Sequence, residues 1–129
     1  MPIRRSGAGG HIAAGAAAEE FAARALERDG HRVLLRNART PHGEIDIVAV
    51  RRKLFRFVEV KARRTGGAAG DGAEALTDRK LRRVAAAADH VLNARGLPDA
   101  PRELVGAVVE LDADGRPGEV AFLPVEELR

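Results

Sequence analysis

GEIDIVAVRRKLFRFVEVKAR, residues 43–63, contains two β-branched, apolar runs separated by a short basic break. Glu44–Val50 and Leu54–Val60 are apolar at successive positions, not at alternate ones, which predicts strands of a sheet covered on both faces. Each run nevertheless carries an acid, Asp46 in the first and Glu59 in the second. Carboxylates are almost never buried unless they are paired, hydrogen-bonded or bound to metal. These two residues therefore need an explanation that the rest of the strands does not.

A hairpin turning at Arg52-Lys53 pairs residue 51 with 54, and the register then counts down to Asp46 opposite Glu59. Side chains directly opposed across a ladder have Cβ atoms about 4.5–5.5 Å apart, close enough for like charges to repel. A divalent cation between them removes the conflict, and Mg²⁺ prefers one or two carboxylates, several waters and phosphate oxygens. Arg-Lys is poor chemistry for a two-residue turn; a four-residue turn keeps the same register. Lys61, two residues after Glu59, projects from the same face of its strand. An ammonium there can orient a metal-bound water and stabilise charge developing on a phosphate. A lone E-x-K would read as a surface ion pair; joined to an acid on the preceding strand and to basic surroundings, it reads as a site.

Outward from this pair, a helix is expected over Ile12–Asp29, ended by Gly30. Its apolar arc is Ala18, Phe21, Ala22, Ala25 and Leu26, with Glu19 at the edge of that arc and Glu20, Arg24, Glu27 and Arg28 on the wet face. Arg32–Arg36 reads as a short strand. Arg63–Gly72, RRTGGAAGDG, reads as a mobile loop. A second helix fits Asp78–Ala94, with Thr77 as N-cap and Gly96 just past its end. Strands at Leu104–Leu111 and Val120–Leu123 follow. Residues 1–10 are Gly-rich and basic and read as a loose tail, leaving 11–129 as one domain. The fold class is α/β, a central mixed β-sheet flanked by α-helices.

Composition narrows the chemistry. The 129 residues contain no cysteine, so disulfides, thiolate zinc sites and cysteine nucleophiles are excluded, and a reducing cytoplasmic setting is the natural fit. His11, His31, His42 and His90 lack close metal-ligand spacing and read as surface or core residues. The longest uncharged apolar stretch, Ile12–Ala18, is too short to span a bilayer. Formal charge is only +3, but Arg51–Arg64 holds seven basic residues and one acid, and guanidinium forks suit phosphate. With no Trp or Tyr, an aromatic platform for single-stranded bases is not expected. Arg79, Lys80, Arg82 and Arg83 crowd the start of the second helix, where cations oppose the macrodipole. A phosphate backbone would favour them there, and a solvated basic face is the plain alternative.

GEIDIVAV followed by FVEVKAR, with RNART before GEID, an acid on the first helix and a lysine on the second, resembles the YraN-like family of small bacterial proteins. That family belongs to the PD-(D/E)XK superfamily, with restriction endonucleases and archaeal Holliday-junction resolvases. The resemblance spans about residues 15–111 and implies a restriction-endonuclease-like core. It implies metal-binding roles for Asp46 and Glu59, a catalytic role for Lys61, an organising role for Glu19, and places Lys80 on the family's helix lysine. Glu44 shares the Asp46 face, and a structural role suits it better than one beside the metal. Two departures stand out: Ala18 where the family usually has Gly before the helix acid, and Val105-Gly106-Ala107 where it usually has an Arg-Phe-Asp run.

The resulting expectation is a Mg²⁺- or Mn²⁺-dependent endonuclease that hydrolyses phosphodiester bonds in DNA, with branched DNA among the candidate substrates. Glu19, Asp46, Glu59 and Lys61 would be catalytic, and Arg63, Arg64, Arg79, Lys80, Arg82 and Arg83 would bind nucleic acid. The alternatives are a non-catalytic nucleic-acid-binding module that keeps the fold and an assembly adaptor using Ala-rich helix faces. No membrane partner is expected, and the sequence is compatible with a homodimer.

Overall fold

The computed structural model describes residues 10–64 and 78–125. The elements in chain order are α1 (Gly10–Arg28), β1 (Arg32–Thr40), β2 (Gly43–Arg51), β3 (Leu54–Arg64), α2 (Asp78–Ala94), β4 (Arg102–Leu111) and β5 (Pro117–Pro124). They form one five-stranded sheet in the order β1-β2-β3-β4-β5. The pairs β1–β2, β2–β3 and β4–β5 are antiparallel, and β3–β4 is parallel. The parallel pair needs a crossover, and α2 lies between those strands in the chain. This is the mixed α/β arrangement expected from the sequence, and it is consistent with a restriction-endonuclease-like core.

Both helices end where glycine permits a left-handed residue. Gly30 has φ 87° and Gly96 has φ 74°. The amide of His31 donates to Leu26 O at 3.0 Å and that of Gly30 to Glu27 O at 3.0 Å, while Leu97 and Gly96 repeat the pattern on Leu92 and Asn93. These are Schellman ends, which satisfy carbonyls the helix itself leaves unbonded.

The sheet carries a core on each face. Ala18, Ala22, Ala23 and Leu26 of α1 pack on Ile47, Ala49, Val58, Val105, Ala107 and Val109. On the other face, Ala87, Ala88, Val91 and Leu92 of α2 pack on Ile45, Val48, Phe55 and Phe57. A fully buried Phe, Ile or Leu contributes roughly 1.5–3 kcal/mol, so β2 and β3, which feed both cores, are the mechanical centre.

Several boundaries differ from the sequence expectation, and three bear on the site. β1 runs on to Thr40, because pairing with β2 from Arg32↔Val50 to Thr40↔Gly43 carries the polar RNART segment as strand. β3 continues through Arg64, because its parallel ladder with β4 reaches Arg64↔Leu111; Arg63 and Arg64 are strand residues, not the start of a loop. Gly10 opens α1 and is not part of a tail. The β2–β3 turn is the two-residue form after all: Arg52 and Lys53 have φ 53° and 70°, as a type I′ turn demands at both central positions. The remaining tail residues, Thr77 and most of the glycine-rich segment lie outside the described residues.

Candidate metal and nucleic-acid site

The register expected for β2 and β3 holds from Arg51↔Leu54 to Ile47↔Val58. It then stops one pair short of Asp46 and Glu59. The carboxylate of Asp46 accepts a hydrogen bond from the Val60 amide at 2.8 Å, so a side chain takes over where the backbone ladder ends. Ile45 and Ile47, two residues apart, pack into opposite cores. Strand alternation therefore breaks at Asp46, and the two acids are not squarely opposed as the simple register implied. They remain electrostatically coupled, and the bond to Val60 uses one oxygen of the Asp46 carboxylate.

Glu59 and Lys61 emerge on the α2 side, in line with Phe55 and Phe57. They line a small cleft of about 110 Å³ together with His42, Gly43, Glu44, Lys80 and Arg83. Lys80 and Arg83 belong to the first two turns of α2, so the basic helix start faces the acids instead of standing apart as a separate footprint. Glu19 comes from α1, which packs on the opposite face. Its Oε1 accepts from Asn37 Nδ2 at 3.2 Å, and its charge is felt by Asp46.

The protonation pattern follows from that crowding. Burial, then the Asp46 charge, pushes Glu59 from 4.5 up to about 7, against the pull of Lys61 and Lys80. Glu19 rises to about 7 for the same two leading reasons, with Arg36 opposing. Asp46 is also raised, mainly by burial and against its bond to Val60. Glu44 adds to the negative charge at all three. Carboxylates that resist ionisation near neutral pH are found at functional sites more often than elsewhere. A divalent cation would relieve it.

The donor set fits such an ion. Among the described residues no group of three or more His, Asp or Glu side chains is arranged to hold a metal. Two carboxylates with open positions suit Mg²⁺ or Mn²⁺, which keep several waters and take oxygens from a substrate phosphate.

The sequence-chosen residues thus separate. Glu59, Lys61, Lys80 and Arg83 line one cleft; Asp46 lies behind it, coupled by charge to Glu59, and Glu19 is coupled to Asp46 from the other helix. Arg79 and Arg82 are exposed on α2. Arg63 is paired with Glu110, and Arg64 Nη1 donates to Ala113 O at 3.2 Å, so both arginines are engaged on the β4 side. Three further residues stand at or beside the site. Glu44, read as structural, lines the cleft and shifts its acids. His42, read as a surface or core residue, also lines it and meets His90 edge-on at 6.3 Å between ring centres. Asn37 carried no signal beyond its place in RNART, because its contact with Glu19 exists only when α1 lies on β1.

No helix among the described residues is long and apolar enough to cross a membrane. The profile of "Uncharacterised protein family UPF0102" matches residues 18–112, a span that holds Glu19, Asp46, Glu59, Lys61 and Lys80. A UPF0102 protein of Rhodopseudomonas palustris (strain BisB5) is 53% identical over 75 residues, covering 58% of this chain and 55% of the relative. One from Nitrobacter winogradskyi is 52% identical over 75 residues, covering 58% and 61%. Another, from Magnetococcus marinus, is 41% identical over 70 residues, covering 54% and 56%. The match extends over little more than half the length of these curated relatives. With the profile covering most of the chain, the comparison agrees with the family that the GEID and E-x-K segments resembled: the chain belongs to UPF0102.

Proposed function

We propose that the cleft hydrolyses phosphodiester bonds in nucleic acid, DNA in the first instance, with Mg²⁺ or Mn²⁺ as the cofactor. The observation that carries this reading is the convergence of Asp46, Glu59 and Lys61 at the point where β2 and β3 part, beside a helix start rich in cations. Asp46 and Glu59 would hold the ion, which when bound supplies Lewis-acid stabilisation of phosphate charge and acidifies water. Lys61 stands two residues from Glu59 on the same side of the strand. Its ammonium orients the attacking water and opposes negative charge as it builds on the phosphate. Lys80 and Arg83 meet the phosphate backbone at the rim, with Arg79 and Arg82 extending that contact along α2. Glu19 orients the site through Asp46.

The deciding experiment incubates the protein with Mn²⁺ and a panel of linear, flapped and four-way-junction DNA. Cleavage of any member supports the reading, and the preferred member names the substrate. Salt-dependent binding without cleavage of any member would replace it with a binding module that keeps the fold. Replacing Arg79, Lys80, Arg82 and Arg83 together by Ala should weaken binding and flatten its salt dependence by roughly one unit per lost phosphate contact. An unchanged slope would remove α2 from the interface.

A further inference from the structure

The described residues include three non-glycine positions with positive φ: Asn37, Arg52 and Lys53. The last two form the β2–β3 turn, which requires that conformation. Asn37 has no such excuse. It lies inside β1 at φ 53°, flanked by the ladder pairs Arg36↔Ile47 and Ala38↔Ile45. Asn tolerates the left-handed region better than most residues, yet a strand interior gives no reason to adopt it. Backbone outliers of this kind persist where surrounding structure holds them, and they cluster at functional sites.

The consequence of the outlier is geometric. In a regular strand, successive side chains point to opposite faces. Here Arg36 and Asn37, adjacent in sequence, both reach α1: Arg36 Nη2 donates to Glu20 Oε1 at 2.9 Å, and Asn37 Nδ2 donates to Glu19 Oε1 at 3.2 Å. Ala38 then packs into the α2-side core. The break in alternation at Asn37 lies across the ladder from the break at Asp46, since Ile45 and Ile47 occupy opposite cores. Two neighbouring strands change phase at the same level, and the two residues at that level are the acid of the site and the amide that holds the helix acid.

We propose that Asn37 is a positioning residue: its left-handed backbone turns its amide onto Glu19 and holds that carboxylate toward Asp46, so that the helix acid takes a fixed place behind the metal-binding pair. The inference rests on the metal-site reading of Asp46 and Glu59. An amide serves this role better than a cation. It fixes the carboxylate oxygen by a hydrogen bond without adding a charge that would compete with a divalent ion. Such outer partners of metal-site groups typically change affinity by roughly 10–100-fold when lost.

Asn37→Gly separates position from folding, because glycine adopts positive φ freely and removes only the side chain. Calorimetry with Mn²⁺ and thermal melting should be run on wild type, Asn37→Gly and Asn37→Asp. The expected result is an Asn37→Gly variant that melts no lower than wild type yet binds Mn²⁺ roughly tenfold more weakly, with Asn37→Asp weaker in orientation because its carboxylate cannot donate to Glu19. Wild-type affinity in Asn37→Gly would overturn the inference and leave the metal reading standing. A metal-free double-mutant cycle between Asn37→Gly and Glu19→Ala, which removes the accepting oxygen, is read by melting and gives the second arm: coupling is expected, and strict additivity would overturn the contact itself. No Mn²⁺ binding by wild type would overturn the metal reading and the role assigned to Asn37 within it.

Discussion

The two ends of the sheet handle charge in opposite ways. At the end that holds the Arg52-Lys53 turn, three arginines are matched to acids. Arg51 meets Asp29 at 3.2 Å, Arg56 meets Glu103 at 2.9 Å and Arg102 meets Asp89 at 2.6 Å. His31, buried in the same region, is held neutral. Arg56 Nη1 lies 2.6 Å from its Nε2, which makes Nε2 the acceptor and leaves Nδ1 to donate to Leu26 O at 3.2 Å. At the other end, Glu19, Asp46 and Glu59 are pushed up together, and Lys61 and Lys80 only partly offset them. One end settles its charges within the protein; the other leaves an excess of negative charge that a cation could settle. A fold that tolerates such a cost keeps it for function more readily than for stability.

The sharpest way to break this contrast is Asp46→Asn. The amide oxygen still accepts from Val60, so the strand junction survives, but the charge that adds to burial in pushing Glu19 and Glu59 up is gone. Calorimetry should show Mn²⁺ binding abolished, while the metal-free variant melts higher than wild type at pH 8. A variant that binds Mn²⁺ normally, or that melts lower throughout, would mean the acid end is an ordinary structural cluster.

Lys61→Ala comes next in size. If Lys61 acts on the reacting phosphate, single-turnover cleavage should fall on the order of 10²–10³-fold with DNA affinity nearly unchanged. If it only pairs with a surface acid, the loss would be no more than ~1 kcal/mol of stability and nothing in rate. Binding, cleavage and melting on the same variant separate the two.

The pH dependence of metal-free stability should carry opposite signs at the two ends. Glu19 and Glu59 have folded values near 7 against an ordinary 4.5. Their contribution is fully present below about 4.5 and is lost as pH rises through 7, because the unfolded chain ionises first. His31 lies below its ordinary 6.5, chiefly through burial and then the Arg56 charge. Its contribution is present above 6.5 and is lost as pH falls through the folded value. Melting followed from pH 4 to 8 should therefore decline at both limits. Glu59→Gln should flatten the alkaline limb and His31→Gln the acid one. Added Mn²⁺ should lift the alkaline limb alone. A Glu59→Gln curve parallel to wild type above pH 5 would contradict the assignment.

The smallest effect is expected at a solvent-exposed pair of the matched end. Glu103 is half-exposed beside Arg56, and Glu103→Ala should cost at most ~1 kcal/mol by denaturant melting, with cleavage unaffected. A larger loss would show that the matched end is a cooperative network, with Arg56 and His31 failing once Glu103 is removed.

Local chemistry in the sequence was enough for the element order and for naming the candidate site residues. Continuous apolar runs, a 3.6-residue period, Gly30 and Gly96 as helix stops, and acids in apolar strands are statements about neighbours in the chain. Asp46, Glu59 and Lys61 were legible because the hairpin carries them on adjacent strands. Whatever depends on contact between distant segments was not legible. β1 extends through RNART because β2 supplies its ladder, and Arg52-Lys53 adopts an unfavourable turn because the flanking strands bury enough apolar surface to impose it. The β2–β3 ladder stops before Asp46 because its carboxylate reaches the Val60 amide. Glu44 and His42 enter the cleft because α2 packs beside them, and Asn37 finds Glu19 because α1 lies across β1. The sequence by itself determined which residues could do chemistry, since that follows from residue type and spacing. Which of them meet was decided by the tertiary structure, since two-sided burial of β2 and β3 brings α1 and α2 to one place from opposite faces.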